Sequence, residues 1–271
     1  MNTPQVLVTG GTGVLGRRVA ERLGSAGVGT RVLSHSGIFG TIPGDLLTGA
    51  GLESAVRGID TIIHCATSPF RKARRVDVEG TGRLLEAAAR AGVSHLVYIS
   101  IVGIDLAPSY PYYRVKLDAE RMVKGSPVPY TILRATQFYD FVLMALRFLD
   151  RLPVMPIPGG FLGQPIDAGE VADRLVDLAL SGPAGRVPDI GGPEVSTLAH
   201  AARVYLEMTD RRRRIFEFPV PGKTARAFCE GAVLCPGNAY GEIRWEDFLR
   251  SRSENALHSK RARYHAAKPE A

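Results

Sequence analysis

The segment Thr9-Gly10-Gly11-Thr12-Gly13-Val14-Leu15-Gly16 carries glycines at spacings suited to phosphate binding. Gly11, Gly13 and Gly16 spell G-x-G-x-x-G, while Gly10, Gly13 and Gly16 spell G-x-x-G-x-x-G. A glycine at a strand exit permits a tight turn, a second lets the backbone approach a pyrophosphate, and a third lets the next helix pack close to the sheet. The free amides and positive dipole end of that helix then face the phosphates. The turn follows Val6-Leu7-Val8 and precedes a helical stretch over 14–23, which is the context such chemistry requires. Gly10, Gly11, Thr12, Gly13, Val14, Leu15, Gly16 and Arg17 are therefore the expected dinucleotide-binding residues. The second strand ends Arg31-Val32-Leu33-Ser34-His35-Ser36, with no acid to hold a ribose 2′-hydroxyl. That favours NADP over NAD. Arg17 or Arg18, helped by Ser34, His35 or Ser36, would face a 2′-phosphate; the alternative for the two arginines is a solvated helix face.

The elements that position this turn alternate along the first two-thirds of the chain. Apolar strand patterns fall at 5–10, 30–35, 60–66, 95–100 and 129–135, with a short one at 41–45. Helical patterns fall at 14–23, around 48–57, at 78–92 ending on Gly92, and at 112–123. The strands are continuous apolar runs, as expected where helices cover both faces of a parallel sheet. The order predicts a Rossmann-type, doubly wound α/β fold with a small C-terminal substrate lobe. The expected division is a dinucleotide-binding domain over 1–135, a smaller lobe interleaved with it over 136–250, and a disordered tail over 251–271. In the lobe, Pro- and Gly-rich 151–160 reads as a loop or short irregular strands. Helices are expected at 166–182, beginning near Asp167, and at 196–208 with Ser196 as N-cap. Strands are expected at 187–192 and 213–222, with helical pieces in 223–250.

Bulk composition narrows the class. The chain has 271 residues, 45% hydrophobic and 23% charged, an ordinary globular balance. Its net charge of +7 comes from Arg211–Arg214 and the tail over 251–271, so the rest is neutral. A solvated arginine run is expected rather than a nucleic-acid face. Cys65, Cys229 and Cys235 show no zinc spacing and read as small core residues, so no metal is expected. No apolar run is long enough to span a bilayer and no signal peptide is visible, which implies a cytoplasmic protein without a membrane partner. A monomer or homodimer acting on a small molecule is the expected state.

Further residues tie the chain to a family. Asp45-Leu46 lies beyond the second strand, His64-Cys65-Ala66-Thr67 ends the fourth, and Asp77-Val78-Glu79-Gly80-Thr81 opens a helix. Tyr98-Ile99-Ser100-Ile101-Val102-Gly103-Ile104 covers the fifth strand and its exit, and Tyr112-Tyr113-Arg114-Val115-Lys116 contains Tyr-x-x-x-Lys. In this order and with TGGTGVLG, they resemble the short-chain dehydrogenase/reductases, in particular the extended and atypical NmrA-like branches, over residues 5–250. The resemblance implies that Asp45 and Leu46 approach the adenine, and that Cys65, Ala66 and Thr67 run past the cofactor. It also implies that Ser100 stands near the substrate carbonyl. This chain departs from the family by placing Ile101 where a second serine is common.

Tyr112 and Lys116, at i and i+4, share a helix face. A lysine ammonium there could lower the tyrosine pKa and hold the nicotinamide ribose while the phenol passes a proton to a developing alkoxide. An amphipathic helix with an incidental Tyr and Lys is the plainer alternative. Gln137, Phe138 and Tyr139 follow the sixth strand at the sheet edge where ligands bind, and are the expected substrate contacts; core packing explains Phe138 equally well. The leading expectation is an NADP-dependent oxidoreductase reducing a carbonyl or quinone-like small molecule. The alternatives are a non-catalytic NAD(P)-binding regulator and, ranked lowest, a sugar-nucleotide epimerase or dehydratase.

Overall fold

The computed structural model describes residues 4–35, 40–69 and 72–252. The first half builds β1 (Gln5–Thr9), α1 (Val14–Ser25), β2 (Gly29–Ser34), β3 (Ile42–Pro43), α2 (Leu52–Val56) and β4 (Thr61–His64). A π-helical turn over Arg74–Gly80 leads into α3 (Thr81–Ala91), followed by β5 (His95–Ile101), α4 (Pro111–Gly125) and β6 (Tyr130–Ala135). The second half adds α5 (Tyr139–Leu149), β7 (Val154–Pro158), β8 (Leu162–Gly163), α6 (Ala168–Ser181) and β9 (Gly185–Arg186). It closes with β10 (Ser196–Thr197), α7 (Leu198–Met208), β11 (Arg214–Phe218) and α8 (Lys223–Cys229), before a helical stretch over 245–252.

Seven parallel strands form the central sheet in the order β3-β2-β1-β4-β5-β6-β9. This is the expected Rossmann-type fold. From β1 the chain first winds toward β2 and β3 and later, through β4, to the other side. The carboxyl ends of β1 and β4 therefore flank the crevice where such sheets bind ligands. Strand side chains alternate between two cores. Leu7, Ile62, Leu96 and Tyr98 pack with α2, α3 and α4, while Val8, Ile63, Val97 and Leu133 pack with α1 and α6.

Local signals explain most boundaries. α3 stops at Gly92, in the left-handed region at φ 73°. α4 starts at Pro111, whose missing N–H costs nothing in a first turn. Asp167 caps α6 by accepting the Gly169 amide at 2.6 Å. α6 and β9 come from beyond residue 136 yet complete the sheet layer, α6 lying along α1.

Four expectations need correction, and one helix was not expected. The stretch 187–192 is not a strand: Ile190 and Gly191 make isolated bridges, and β9 lies before it at Gly185–Arg186. The stretch expected as one helix over 78–92 is α-helical only from Thr81, the residues before it taking the wider π geometry. The N-cap of α7 is Thr197, whose hydroxyl accepts the His200 amide at 3.1 Å, and Ser196 belongs to β10. α5 gave no periodic signal because it is apolar nearly all round: Tyr139, Leu143 and Leu146 face the core while Met144 and Phe148 face out. Cys229 is exposed and Cys235 half-buried, so neither is a core residue. Arg211 and Arg213 of the solvated run both pair with the buried Asp150, at 2.7 and 3.3 Å. Among the described residues no helix is long and apolar enough to cross a membrane.

Candidate active site

The glycine turn has the shape of a phosphate cradle. Gly10 sits at φ +66°, and a β-carbon there would lie 2.7 Å from both the amide N and Cα of Ala66. A β-carbon on Gly16 would lie 2.3 Å from the Gly10 carbonyl oxygen, so this glycine lets α1 press against the turn. The Gly13 amide donates to Gly10 O at 2.9 Å and closes the loop. The first turn of α1 contains no acid and has no side-chain cap, which leaves its leading amides for an anion. The residues present therefore fit a dinucleotide pyrophosphate.

The residues expected around the adenosine half divide into free and committed groups. Arg17 is exposed, with only a loose 3.9 Å approach to Glu21. Arg18 is committed: it donates to Val14 O at 2.8 Å and to Asp140 at 3.2 Å. Ser34 is buried, His35 is exposed, and Ser36 lies outside the described residues. Asp45 uses both carboxylate oxygens on its own turn, accepting the Leu47 amide at 2.8 Å and the Thr48 hydroxyl at 3.1 Å. Leu46 is buried, with its backbone against Gly80 of the π-helical turn.

Beside the cradle runs a polar chain that the sequence did not reveal. The Ala66 amide donates to Thr9 Oγ1, which lies 2.6 Å from His64 Nδ1. His64 Nε2 lies 2.9 Å from Thr81 Oγ1, and Thr81 donates to the Asp77 carbonyl at 2.7 Å. Because Thr81 gives its proton to Asp77, His64 carries its own proton on Nε2 and accepts from Thr9 on Nδ1. Burial, aided by the nearby Lys116 ammonium, pulls His64 down from 6.5 to about 3. An unfolded chain therefore binds a proton at His64 that the folded chain refuses between these values. Stability from this group is complete above pH 6.5 and is lost as pH falls toward 3, by about 2 kcal/mol at pH 5. Urea unfolding at pH 7 and pH 5 should show this slope, and His64→Gln should flatten it; an equally steep slope in the variant would exclude His64 as its source. Burial likewise pushes the Cys65 thiol up to about 12, so it is no thiolate nucleophile.

The residues expected to do proton chemistry are arranged differently from expectation. Tyr112 is half-buried, with its hydroxyl 2.5 Å from Thr67 Oγ1 and 3.5 Å from Asp77 Oδ1. Thr67 in turn hydrogen-bonds Asp77 Oδ1, and the Ser68 amide donates to Oδ2 at 2.9 Å. Lys116 does not tune this phenol. It is 3% exposed, and its ammonium donates to the Tyr98 hydroxyl at 2.6 Å and to Ile99 O at 3.1 Å. One turn along α4 from Tyr112, Lys116 lies over β5, where those two oxygens accept two of its three N–H donors. Burial first, and then the Asp77 charge, push the Tyr112 phenol well above its ordinary value, the reverse of the expected activation.

Ser100 is also displaced from the expected role. It follows Leu96 and Tyr98 on the α4 face of β5 and lies beside Glu120. Burial raises the Glu120 carboxyl, but Arg134, at 2.8 and 2.9 Å, with Ser100 beside it, holds it below the usual range. The Ser100 hydroxyl is itself buried and makes no hydrogen bond among the described residues, so it does not face the crevice as a carbonyl-binding donor. Tyr139 is 2% exposed, stacks near Trp245 and Phe248 and donates to Ile243 O at 3.0 Å, which makes it lobe core rather than a substrate contact. Phe138 packs into the α1/α6 core, and Gln137 alone of this trio is exposed at the end of β6.

Tyr112 packs into a cluster with Ala227 and Phe228 of α8, which bridges two loops. Phe228 meets Tyr110, Tyr113 and Phe161 edge-on, with ring centroids 5.4–6.1 Å apart. Thr224 reaches Ser109 at 2.8 Å. This aromatic wall was missed because Phe161 and Phe228 lie far from Tyr112 in sequence and carry no periodic pattern. Among the described residues no cluster of side chains could hold a metal.

Fold and cradle together define an α/β protein with a Rossmann-type nicotinamide-dinucleotide site. The model of a family described as NAD(P)H-binding matches residues 10–179, and the chain belongs to that family. It is 29% identical over 249 residues to (4-alkanoyl-5-oxo-2,5-dihydrofuran-3-yl)methyl phosphate reductase of Streptomyces griseus, covering 84% of this chain and 86% of that protein. It is 29% identical over 164 residues to photosystem II assembly factor Ycf39 of Trieres chinensis, spanning about half of that protein, 51%. Among solved structures, the NADPH-dependent quinone oxidoreductase QOR2 of Escherichia coli superposes with a TM-score of 0.75 at 16% identity, over 91% of this chain and 99% of that one. An NAD-bound short-chain dehydrogenase/reductase superfamily protein of Agrobacterium tumefaciens gives 0.73 at 20% identity, over 95% and 99%. These two structural likenesses show the Rossmann-type α/β fold.

Proposed function

We propose that this chain is an NADP-dependent reductase of a carbonyl or quinone-like small molecule. The observation that carries the reading is the Tyr112 phenol, half-buried and 2.5 Å from Thr67, the residue after the Ala66 backbone that packs on Gly10. This places a proton-bearing hydroxyl beside the cradle. Bound there, the nicotinamide would supply hydride. Gly10 to Gly16 would hold the pyrophosphate, and Arg17, free on the surface of α1, would meet a 2′-phosphate. Tyr112 keeps its proton because burial and Asp77 oppose its ionisation. To serve the substrate, the Tyr112 proton must turn from Thr67 and Asp77 toward the reduced oxygen as the hydride arrives. The name of the Streptomyces relative, a reductase, agrees with this reading.

Tyr112→Phe should lower turnover about a hundredfold or more and leave NADPH affinity unchanged. Unchanged turnover across all active substrates would remove Tyr112 from the chemistry. Arg17→Ala should weaken NADPH about tenfold and leave NADH binding unaltered, as read by fluorescence titration; equal loss for both cofactors would refute the 2′-phosphate role.

A second reading, a non-catalytic NAD(P)-binding regulator, is favoured by the diversion of Lys116 to Tyr98 and by the burial of Ser100. It predicts tight NADPH binding with no oxidation of the cofactor across a broad panel of ketones, enones and quinones.

A further inference from the structure

Under the Tyr112 phenol lies a short hydrogen-bonded path that ends on a buried carboxylate. Tyr112 Oη is 2.5 Å from Thr67 Oγ1, and Thr67 donates to Asp77 Oδ1. Asp77 is 1% exposed, sits in the π-helical turn, and accepts the Ser68 amide on Oδ2 at 2.9 Å. A carboxylate can only accept, so the Thr67 proton points to Asp77 and the Tyr112 proton points to Thr67. The path is therefore polarised from the crevice inward.

We propose that Asp77 is the terminal proton acceptor of this site, a positioning residue that works through Thr67 and Tyr112; this rests on the reading of Tyr112 as the substrate-facing hydroxyl. In the oxidative direction the substrate O–H bond breaks and its proton passes to Tyr112 Oη. Tyr112 passes its own proton to Thr67 Oγ1, and Thr67 passes its own to Asp77 Oδ1. The electron pair of the substrate C–H bond leaves as hydride to an oxidised nicotinamide dinucleotide. In the reductive direction the steps run in reverse: Asp77 first takes a proton from water, Thr67 and Tyr112 hand it outward, and that proton together with the hydride completes the reduced O–H and C–H bonds. The path supplies the phenol with a proton partner, which Lys116, bonded to Tyr98 and Ile99, does not. The other charged or titratable groups around it are His64 and Cys65 on the β4 side, Tyr98 on β5, Tyr110 before α4, and Lys116 and Glu120 on α4. Among the described residues, none of these hydrogen-bonds Tyr112.

The test uses the full chain with difluorotyrosine incorporated at position 112, whose phenol ionises in a measurable range and is followed by fluorine NMR. Asp77→Asn should lower its midpoint by about one pH unit or more, since a neighbouring negative charge is removed. An unmoved midpoint in an Asp77→Asn chain that still binds NADPH overturns the proposal. Should Asp77→Asn fail to fold, Thr67→Val and Thr67→Ser decide. Turnover should fall at least about tenfold in Thr67→Val with KM held, and return in Thr67→Ser; wild-type turnover in Thr67→Val overturns the path. The titration needs no turnover. A shifted midpoint in a chain that oxidises NADPH with no substrate removes the reductase reading while leaving the Asp77–Tyr112 coupling established.

Discussion

A Gly10→Ala chain should bind NADPH more than about a hundredfold more weakly and lose about 2–4 kcal/mol of stability. Two costs add at this residue. The first is conformational: at φ +66°, a residue with a β-carbon loses roughly 1–2 kcal/mol. The second is steric: the new methyl would stand 2.7 Å from the Ala66 amide N and Cα, both backbone atoms that cannot rotate away. The link between β1 and β4 must part to admit it, and the cradle opens with it. Gly27→Ala isolates the first cost, since Gly27 also sits at positive φ, 69°, with nothing within 4 Å of its would-be methyl. That variant should lose about 1 kcal/mol and bind NADPH normally. Fluorescence titration and urea unfolding of the two variants decide the matter; wild-type binding by Gly10→Ala would show that the cradle is not where the cofactor sits.

The other large effect lies in the core beneath α4. Arg134→Leu should destabilise the fold by about 3–5 kcal/mol, because it strands the Glu120 carboxylate in an interior where Arg134 is its close partner. Both side chains are nearly inaccessible, at 5% and 2%. Replacing Glu120 as well, as Arg134→Leu/Glu120→Leu, should restore much of the loss, since a hydrophobic pair leaves no buried charge and Asp105, the other partner of Arg134 at 3.0 Å, is half-exposed. The sign of the pH dependence follows. The pair holds Glu120 below its ordinary value, so its contribution is full at neutral pH and fades as pH falls through the carboxylate range. The gap between wild type and Arg134→Leu should therefore narrow in acid. A single variant as stable as wild type, or a double variant no better than the single, would contradict this account.

The contrast between Gly10 and Ser100 shows what the sequence made legible. The cradle was readable because its requirements are local: a strand, glycines at fixed offsets and a helix start lie within a dozen residues. The parallel sheet was readable because strands covered on both faces are apolar throughout. Ser100 was misplaced although a signal existed. Strand alternation puts it on the face of Leu96 and Tyr98, toward α4, and opposite Val97 and Ile99. Lys116 and Asp77 were harder. Spacing on α4 put Lys116 on the face of Tyr112, but its partner comes from β5, and the competition between two acceptors is a matter of depth that a linear pattern does not carry. Asp77 was visible as part of a helix start, while its reach to Thr67 depends on a π-helical turn for which the residues gave no separate sign. Tyr139 was drawn into the site by its position after β6, because the helix that buries it is apolar on nearly every side.

The return of α6 and β9 to the sheet layer bears on how the chain comes into being. While the polypeptide is being synthesised, β1, β4 and β5 emerge early, with Val8, Ile63 and Val97 on the face that α6 later covers. That cover arrives only with residues 168–181, and the last strand with 185–186. A nascent chain stopped near residue 135 therefore holds its glycine turn above a half-dressed sheet, with a wide apolar face waiting. Contacts that join α1 to α6 close a loop of well over a hundred residues, the kind of pairing that comes late and slowly in folding. Dinucleotide binding should thus mature only after most of the chain has been made.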